Sequence, residues 1–147
     1  MMSARVSRDW PLLLGIALVW AASLALPALA AGGRVFVGLE MLLDGWQGLE
    51  RGVYAWLANP LFVAALVCAL LARNVIAAGL SIAALVLGGT SIFVESALRE
   101  RMTSVPEIEL RVGFYLWMVA LAALCLRTLT RAVASDGREG PNRVARH

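Results

Sequence analysis

Four apolar runs of about 20 residues each constrain the fold more than any other feature of the sequence. They cover approximately residues 10–31, 53–72, 75–94 and 112–129. A helix of roughly 20 apolar residues crosses the ~30 Å hydrocarbon core of a bilayer, since each residue adds ~1.5 Å. With 61% hydrophobic and 16% charged residues, a chain of 147 residues could not bury this apolar surface as a soluble domain. We therefore predict an all-α integral membrane four-helix bundle over residues 1–134, as a single domain.

The segment from Val35 to Pro60 is too apolar for an ordinary loop and too rich in glycine and acids for a span. Its apolar residues recur at helical spacing, with Glu40, Asp44 and Glu50 falling between them: Val35, Leu39, Leu42, Leu43, Trp46, Leu49 and Val53. This pattern predicts an interfacial amphipathic helix over about residues 35–50. We expect its apolar face to pack on the bundle.

The Asn59-Pro60 pair leaves two interpretations of the second span open. It is a good helix start, yet a helix from Pro60 to Ala72 is only roughly 20 Å long, which is too short to cross. Either the helix runs from Val53 with a kink at Pro60, or it breaks there and residues 45–58 dip into the membrane. In both cases we expect the Asn59 side chain to cap a backbone group.

The first run has a second interpretation as a secretory signal, because Ala28-Leu29-Ala30 resembles a cleavage site after an arginine-containing N-terminus. The length of the run and Trp20 at its middle favour an uncleaved span. Pro27 is predicted to bend the outer end of this helix, because it lacks an N–H and crowds the preceding turn.

Small residues form a stripe along the second helix and another along the third. Only Arg73 and Asn74 separate the two runs, which predicts a tight helical hairpin. The stripes let the two backbones approach closely, so we expect these helices to pair. Their members are Ala58, Phe62, Ala65, Ala69 and Ala72, and then Ala77, Ser81, Ala84, Gly88 and Ser91.

The second outer loop spans residues 96–111, and its first half is predicted to continue the third helix. A turn is expected at Ser104–Pro106. Phe114, Tyr115 and Trp117 are predicted to form an aromatic collar where the last span begins. The polar residues 135–147 are predicted to be a disordered cytoplasmic tail.

The distribution of arginine predicts the orientation. Eight of the 13 arginines lie on the side that carries both termini and the hairpin. Five lie on the other side, together with seven acids; these arginines are Arg34, Arg51, Arg99, Arg101 and Arg111. Because basic segments favour the cytoplasm, we predict a multi-pass protein of the bacterial inner membrane with both termini cytoplasmic.

Three short motifs carry a resemblance to known proteins: Gly45-Trp46-Gln47-Gly48, Trp56-Leu57-Ala58-Asn59-Pro60 and Gly113-Phe114-Tyr115-Leu116-Trp117. Together they resemble uncharacterised small bacterial inner-membrane proteins with four predicted transmembrane helices, over roughly residues 35–124. The resemblance implies a four-span membrane fold and supplies no catalytic residue. All three motifs fall on the predicted outer side, which we interpret as the working face.

The residue types present exclude several kinds of chemistry. There is no lysine for a Schiff base, and His147, the only histidine, leaves the bundle without a histidine ligand for haem or metal. Cys68 and Cys125 lie inside apolar runs and are predicted to be free thiols. No Ser–His, metal or paired buried carboxylate arrangement indicates an enzyme, and the arginines flank apolar runs without forming a nucleic-acid-binding patch. We therefore predict no cofactor and no metal.

Seven residues on the predicted outer side are candidates for a partner or ligand surface: Trp46, Trp56, Asn59, Glu95, Arg99, Tyr115 and Trp117. The tryptophans have a simpler interpretation as interface anchors, and Glu95 as the ion-pair partner of Arg99 one turn away. An acid attached to an apolar span is nevertheless a functional candidate. An aromatic ligand cage of Trp46, Trp56, Tyr115 and Trp117 is the alternative for those four.

Three function classes remain, in descending order of preference. The first is a non-catalytic accessory subunit, or a regulatory or immunity-type protein, that binds a protein partner or a second copy through its periplasmic face. The second is a small lipid-handling or transport protein with a cavity near Pro60 and Glu95. The third is an intramembrane enzyme. Membrane lipids are expected partners in every case.

Overall fold

The computed structural model describes residues 9–51, 54–101 and 108–136, with only the backbone of residues 51, 93–101, 108 and 136. It is mostly helical, at 81%. The α-helices in the described ranges are α1 (Trp10–Ala25), α2 (Gly38–Asp44), α3 (Ala58–Leu70), α4 (Asn74–Arg101) and α5 (Val112–Asp136). Two 3₁₀ segments, Gly45–Arg51 and Ala55–Leu57, lie between α2 and α3. The strands are β1 (Pro27–Ala31), β2 (Arg34–Val37) and β3 (Ile108–Leu110).

Helices α1, α3, α4 and α5 pack side by side and alternate in direction. Helix α4 packs along α3 on one side and along α5 on the other, and α1 packs along α5. The shared core contains the fully buried side chains of Leu13, Phe62, Leu121 and Leu124. We call the end with the α3–α4 turn the hairpin end, and the opposite end, where α1 ends and α3 and α5 begin, the pocket end.

The predicted pairing of the second and third helices is confirmed. The α3 stripe is buried from Ala58 through Ala69, and the α4 stripe from Ala77 through Gly88. The two stripes differ from the prediction at their ends, because Ala72 is exposed and Ser91 is half-buried. Small side chains at these positions allow the close backbone approach that brings α3 against α4.

The α3–α4 hairpin closes through a Schellman motif. The N–H of Arg73 donates to the Cys68 carbonyl at 2.9 Å, and that of Ala72 to the Ala69 carbonyl at 3.1 Å. Ala72 takes the left-handed position of the motif, with φ of 57°. Glycine is the usual residue at this position, since an alanine Cβ crowds the following carbonyl oxygen.

The all-α prediction is wrong at the pocket end, where a three-stranded antiparallel sheet forms in the order β2-β1-β3. The first helix ends at Ala25 and does not bend onward to residue 31, because Pro27 pushes Leu26 into an extended conformation (φ −101°, ψ 156°). Gly32 and Gly33, with φ of 58° and 80°, then make the two-residue turn that pairs Ala31 with Arg34. Val35, predicted to be helical, therefore lies in β2.

The backbone at Pro60 matches neither interpretation in full. Helix α3 begins at Ala58, directly after the 3₁₀ turn Ala55–Leu57, so helical backbone runs from Ala55 through Pro60 without a break at the proline. The proline lies in the first turn, where its missing N–H removes no intrahelical hydrogen bond. Val53 itself lies outside the described residues.

Within the described ranges, two helices are long and apolar enough to cross a membrane: α4 over Asn74–Ile92 and α5 over Val112–Ser135. Helix α1 and the stretch Ala55–Leu70 are apolar but shorter. Helix α4 continues to Arg101, as predicted, whereas the predicted turn at Ser104–Pro106 lies outside the described residues. In the predicted tail, Ser135 is helical, and residues 137–147 are outside the described part.

Candidate binding pocket

A cavity of about 260 Å³ lies at the pocket end. All four packed helices contribute to its wall, together with α2, the 3₁₀ turn before α3, and strands β1 and β3. Most of the wall is apolar, with Leu24, Leu42, Leu110 and Phe114 among its residues. The cavity thus forms where α2, the 3₁₀ turn and the small sheet meet the ends of the four packed helices.

Asn59 joins three helices at this cavity. Its Oδ1 accepts one hydrogen bond from Trp20 Nε1 of α1 at 3.3 Å and another from Trp117 Nε1 of α5 at 2.9 Å. An indole N–H can only donate, so both contacts place the amide oxygen of Asn59, and not its nitrogen, toward the tryptophans. The predicted capping role is wrong, because Leu57 is the N-cap of α3 and no side chain caps it.

Three other polar side chains of the wall, those of Ser23, Trp56 and Ser91, donate hydrogen bonds to backbone carbonyls of the protein. Ser23 Oγ donates to the Trp20 carbonyl, and Ser91 Oγ to the Gly88 carbonyl. Trp56 Nε1 donates to the Leu42 carbonyl at 2.7 Å. A wall on which Ser23, Ser91 and Trp56 are already bonded offers few groups to a polar substrate and suits a largely apolar occupant.

Two glycines set the position of α2 against the cavity. A Cβ on Gly38 would lie 2.6 Å from the Ser23 carbonyl oxygen, and one on Gly45 would lie 2.6 Å from Trp56 Cδ1. Gly38, Met41, Leu42 and Gly45 all line the cavity, at a spacing of three, four and seven residues from the first. The face that contains Gly38 and Gly45, which we call the glycine face, therefore points toward the cavity.

The predicted inward face of the same segment is wrong except at Leu42, which lines the cavity, and at the half-buried Leu49. Leu39, Leu43 and Trp46 are 48%, 63% and 51% exposed, and Val35 is exposed as well. The physical reason is that Gly38 has no side chain and lets the segment approach α1 closely, whereas the side chains of Leu39 and Leu43 would hold it further away. Helical spacing alone does not distinguish which of two neighbouring faces docks.

The three sequence motifs meet at the cavity. Gly45 of the first contacts Trp56 of the second, and Asn59 of the second binds Trp117 of the third. Gly113 of the third lies against the end of α1, since a Cβ there would be 2.8 Å from the carbonyl oxygens of Leu26 and Pro27.

The structure brings together three of the seven candidate residues. Trp56, Asn59 and Trp117 line the cavity. Trp46 and Tyr115 are 51% and 58% exposed and do not line it, so the four aromatic residues do not form a cage. The side chains of Glu95 and Arg99 lie outside the described part of the structure.

Sequence reasoning missed a polar cluster at the hairpin end. Arg127, only 7% exposed, lies 3.4 Å from Asp9 Oδ2 and donates to Asn74 Oδ1 at 3.4 Å. Arg131 donates to Asp9 Oδ1 at 2.6 Å. These contacts link the start of α1 to α4 and α5, whereas the sequence analysis only counted both arginines among the eight that predict the orientation.

A buried hydroxyl pair on the same side of the core was also missed. Ser81 Oγ of α4 and Thr128 Oγ1 of α5 are 2.8 Å apart and buried. Both hydroxyls also bond to carbonyls of their own helices, so the contact is satisfied in either donor direction. The sequence signal was a hydroxyl residue on the apolar face of each helix.

Metal ligands do not cluster in the described ranges: no group of three or more His, Cys, Asp or Glu side chains there could hold an ion. The two cysteines are free thiols, Cys125 buried and Cys68 half-buried. No protein-family model matches the chain, and no curated protein or solved structure matches it.

Proposed function

We propose that this chain is a non-catalytic membrane protein that acts by binding a protein partner at its pocket end, as an accessory, regulatory or immunity-type protein. The observation that carries this proposal is the exposed apolar face of Leu39, Leu43 and Trp46. Helix α2 has seven residues, which is far too few to cross a membrane. An apolar face on such a helix, next to Glu40 and Asp44, is typical of an interaction surface.

The membrane setting is part of the proposal. Helices α4 and α5 are long enough to cross. Helices α1 and α3 pack alongside them between the same two ends but are shorter than a straight span, and the 3₁₀ turn Ala55–Leu57 lengthens the second of them at the pocket end. The arginine distribution favours the hairpin end as the cytoplasmic end, with both termini there. We infer four crossings of the bacterial inner membrane, with the pocket end toward the periplasm.

The test compares two equally exposed tryptophans at opposite ends. Trp46 is 51% exposed at the pocket end, and Trp10 is 54% exposed at the hairpin end. The tagged wild type and the variants Trp46→Ala and Trp10→Ala are purified in mild detergent and analysed by native mass spectrometry. We expect one partner in fixed stoichiometry with the wild type and with Trp10→Ala, and its loss with Trp46→Ala.

Two results would contradict the proposal. One is a wild-type protein that purifies as a monomer with no associated chain. The other is a partner that Trp46→Ala and Trp10→Ala retain equally. A second copy of the same chain as the partner would instead assign the surface to self-association.

A second candidate function, lipid handling, is favoured by the cavity itself. Its wall is largely apolar, and the Ser23, Ser91 and Trp56 polar groups are bonded within the protein. Such a wall excludes polar solutes and favours hydrocarbon. The two functions are compatible, because the exposed face of α2 lies outside the cavity wall.

A further inference from the structure

Among the described polar side chains that line the cavity, the amide nitrogen of Asn59 is the group without a hydrogen bond. Its Oδ1 accepts from both tryptophans, so the Nδ2 must face away from them. Within the described part of the chain Nδ2 makes no hydrogen bond, and it is not sealed from solvent. Two N–H donors are thus presented by a residue of an otherwise apolar wall.

A pair of donors without an acceptor selects a particular ligand chemistry. The complementary group accepts hydrogen bonds and carries none to donate, while the rest of the ligand must be hydrocarbon to match the wall. An ester carbonyl oxygen with its acyl chain has this combination. A hydroxyl or ammonium group would bring donors for which the cavity offers few free acceptors.

The position of Asn59 suits the same group. It lies in the first turn of α3, at the pocket end, which also has the exposed aromatic residues Trp46, Tyr54 and Tyr115. Aromatic side chains of this kind favour the membrane–water interface, which is the level of lipid headgroups. A donor pair at the inner edge of that layer is placed to meet lipid ester groups.

We infer that the cavity binds one acyl chain of a glycerophospholipid, with its ester carbonyl oxygen accepting a hydrogen bond from Asn59 Nδ2. This inference rests on the proposed membrane setting and specifies the ligand of the lipid-handling candidate. The cavity, at about 260 Å³, exceeds the 150 Å³ or so of an apolar protein cavity that holds benzene. It therefore accommodates a segment of the chain, with the remainder in the bilayer.

The test uses two phospholipids that differ only in whether their chains are attached through esters or ethers. Purified protein in detergent is titrated with diacyl phosphatidylglycerol or with the dialkyl ether analogue of equal chain length, and the first binding event is measured by native mass spectrometry. The ether lacks the carbonyl acceptor. We expect the ester to bind about five-fold more tightly, in keeping with one neutral hydrogen bond.

Variants test whether the preference for the ester lipid arises at Asn59 and whether the lipid lies in the cavity. Asn59→Asp keeps an acceptor for both indoles but removes the donors, so the ester preference should fall to about one-fold. Ser91→Phe fills the cavity and should weaken both lipids, whereas Thr90→Phe, one residue away on α4 and outside the wall, should keep the preference. Equal binding of the two lipids by the wild type overturns the inference, and that result needs no variant to fold.

Two further outcomes would also overturn it. One is an ester preference that persists in Asn59→Asp. The other is wild-type affinity for both lipids in Ser91→Phe. Partner capture that depends on Trp46 is measured separately, so failure of the lipid site leaves the partner-binding proposal intact, and the reverse also holds.

Discussion

A single amide oxygen determines how three helices meet at the pocket end. Trp20 and Trp117 are half-buried, and an indole N–H that loses water needs an acceptor. Asn59 provides one for both, at separations of 39 and 58 residues along the chain. The second motif thus contributes the acceptor, and the third contributes one of the two donors.

A substitution at Ala72 is expected to stabilise the protein. Ala72 has φ of 57° in the Schellman motif and an exposed side chain, so Ala72→Gly removes a steric cost and loses no packing. We expect an increase of about 1 kcal/mol in the free energy of unfolding, measured by SDS titration in micelles. The matched control is Ala64→Gly in the interior of α3, which should lower it by about 1 kcal/mol. A loss of stability in both variants would show that the hairpin does not adopt this turn.

At the scale of elements, the contact between the start of α5 and the end of α1 depends on a glycine. A side chain at Gly113 would meet two carbonyl oxygens of the Leu26–Pro27 backbone, which is anchored in β1 and cannot move away alone. We expect Gly113→Ala to lower the free energy of unfolding by about 1–3 kcal/mol in the same assay.

Gly79 provides the control for that prediction. It lies in α4, and a Cβ there would have no atom within 4 Å. Gly79→Ala should therefore raise stability by about 0.5–1 kcal/mol, because alanine favours a helix. If Gly113→Ala behaves like Gly79→Ala, the close approach of α5 to α1 is not formed in solution.

The elements that could be predicted from the sequence are those whose signal is local. The apolar runs and small-residue stripes located α3, α4 and their pairing, and the two-residue separation located the hairpin. The sheet was missed although its signals were also local: Pro27 ends a helix, and Gly32-Gly33 favours a hairpin turn. Pro27 alone, however, also predicts a bend within a longer apolar helix, as stated above.

The position of the candidate site could be predicted from the sequence, but the hydrogen bonds that build it could not. The Asn59-Pro60 pair and the Phe114–Trp117 collar pointed to the pocket end, where the cavity is found. The double role of Asn59 could not be predicted, because its partners come from two distant helices. The buried state of Arg127 was equally invisible, since it depends on Asp9, more than a hundred residues away in sequence.

At the scale of the whole molecule, the two ends differ in chemistry. The hairpin end has Asp9, Asn74, Arg127 and Arg131 in one charged cluster, which fastens the first helix to the last. The pocket end has the apolar cavity and exposed aromatic residues. Because Asp9 contacts the end of α5, the described start and end of the chain lie on the same side. An even number of crossings is the arrangement that satisfies this contact in a membrane.

Accessibility of introduced cysteines tests the number and direction of the crossings. In a Cys68→Ala, Cys125→Ala background, Arg34→Cys reports on the pocket end and Ser135→Cys on the hairpin end; both native side chains are exposed. We expect a membrane-impermeant maleimide to label Arg34→Cys in spheroplasts and Ser135→Cys only after lysis. If α4 and α5 alone crossed, every residue before Asn74 would stay on the cytoplasmic side, and Arg34→Cys would be protected until lysis. Labelling of Ser135→Cys alone in spheroplasts would indicate the opposite orientation, with the arginine-rich hairpin end facing the periplasm.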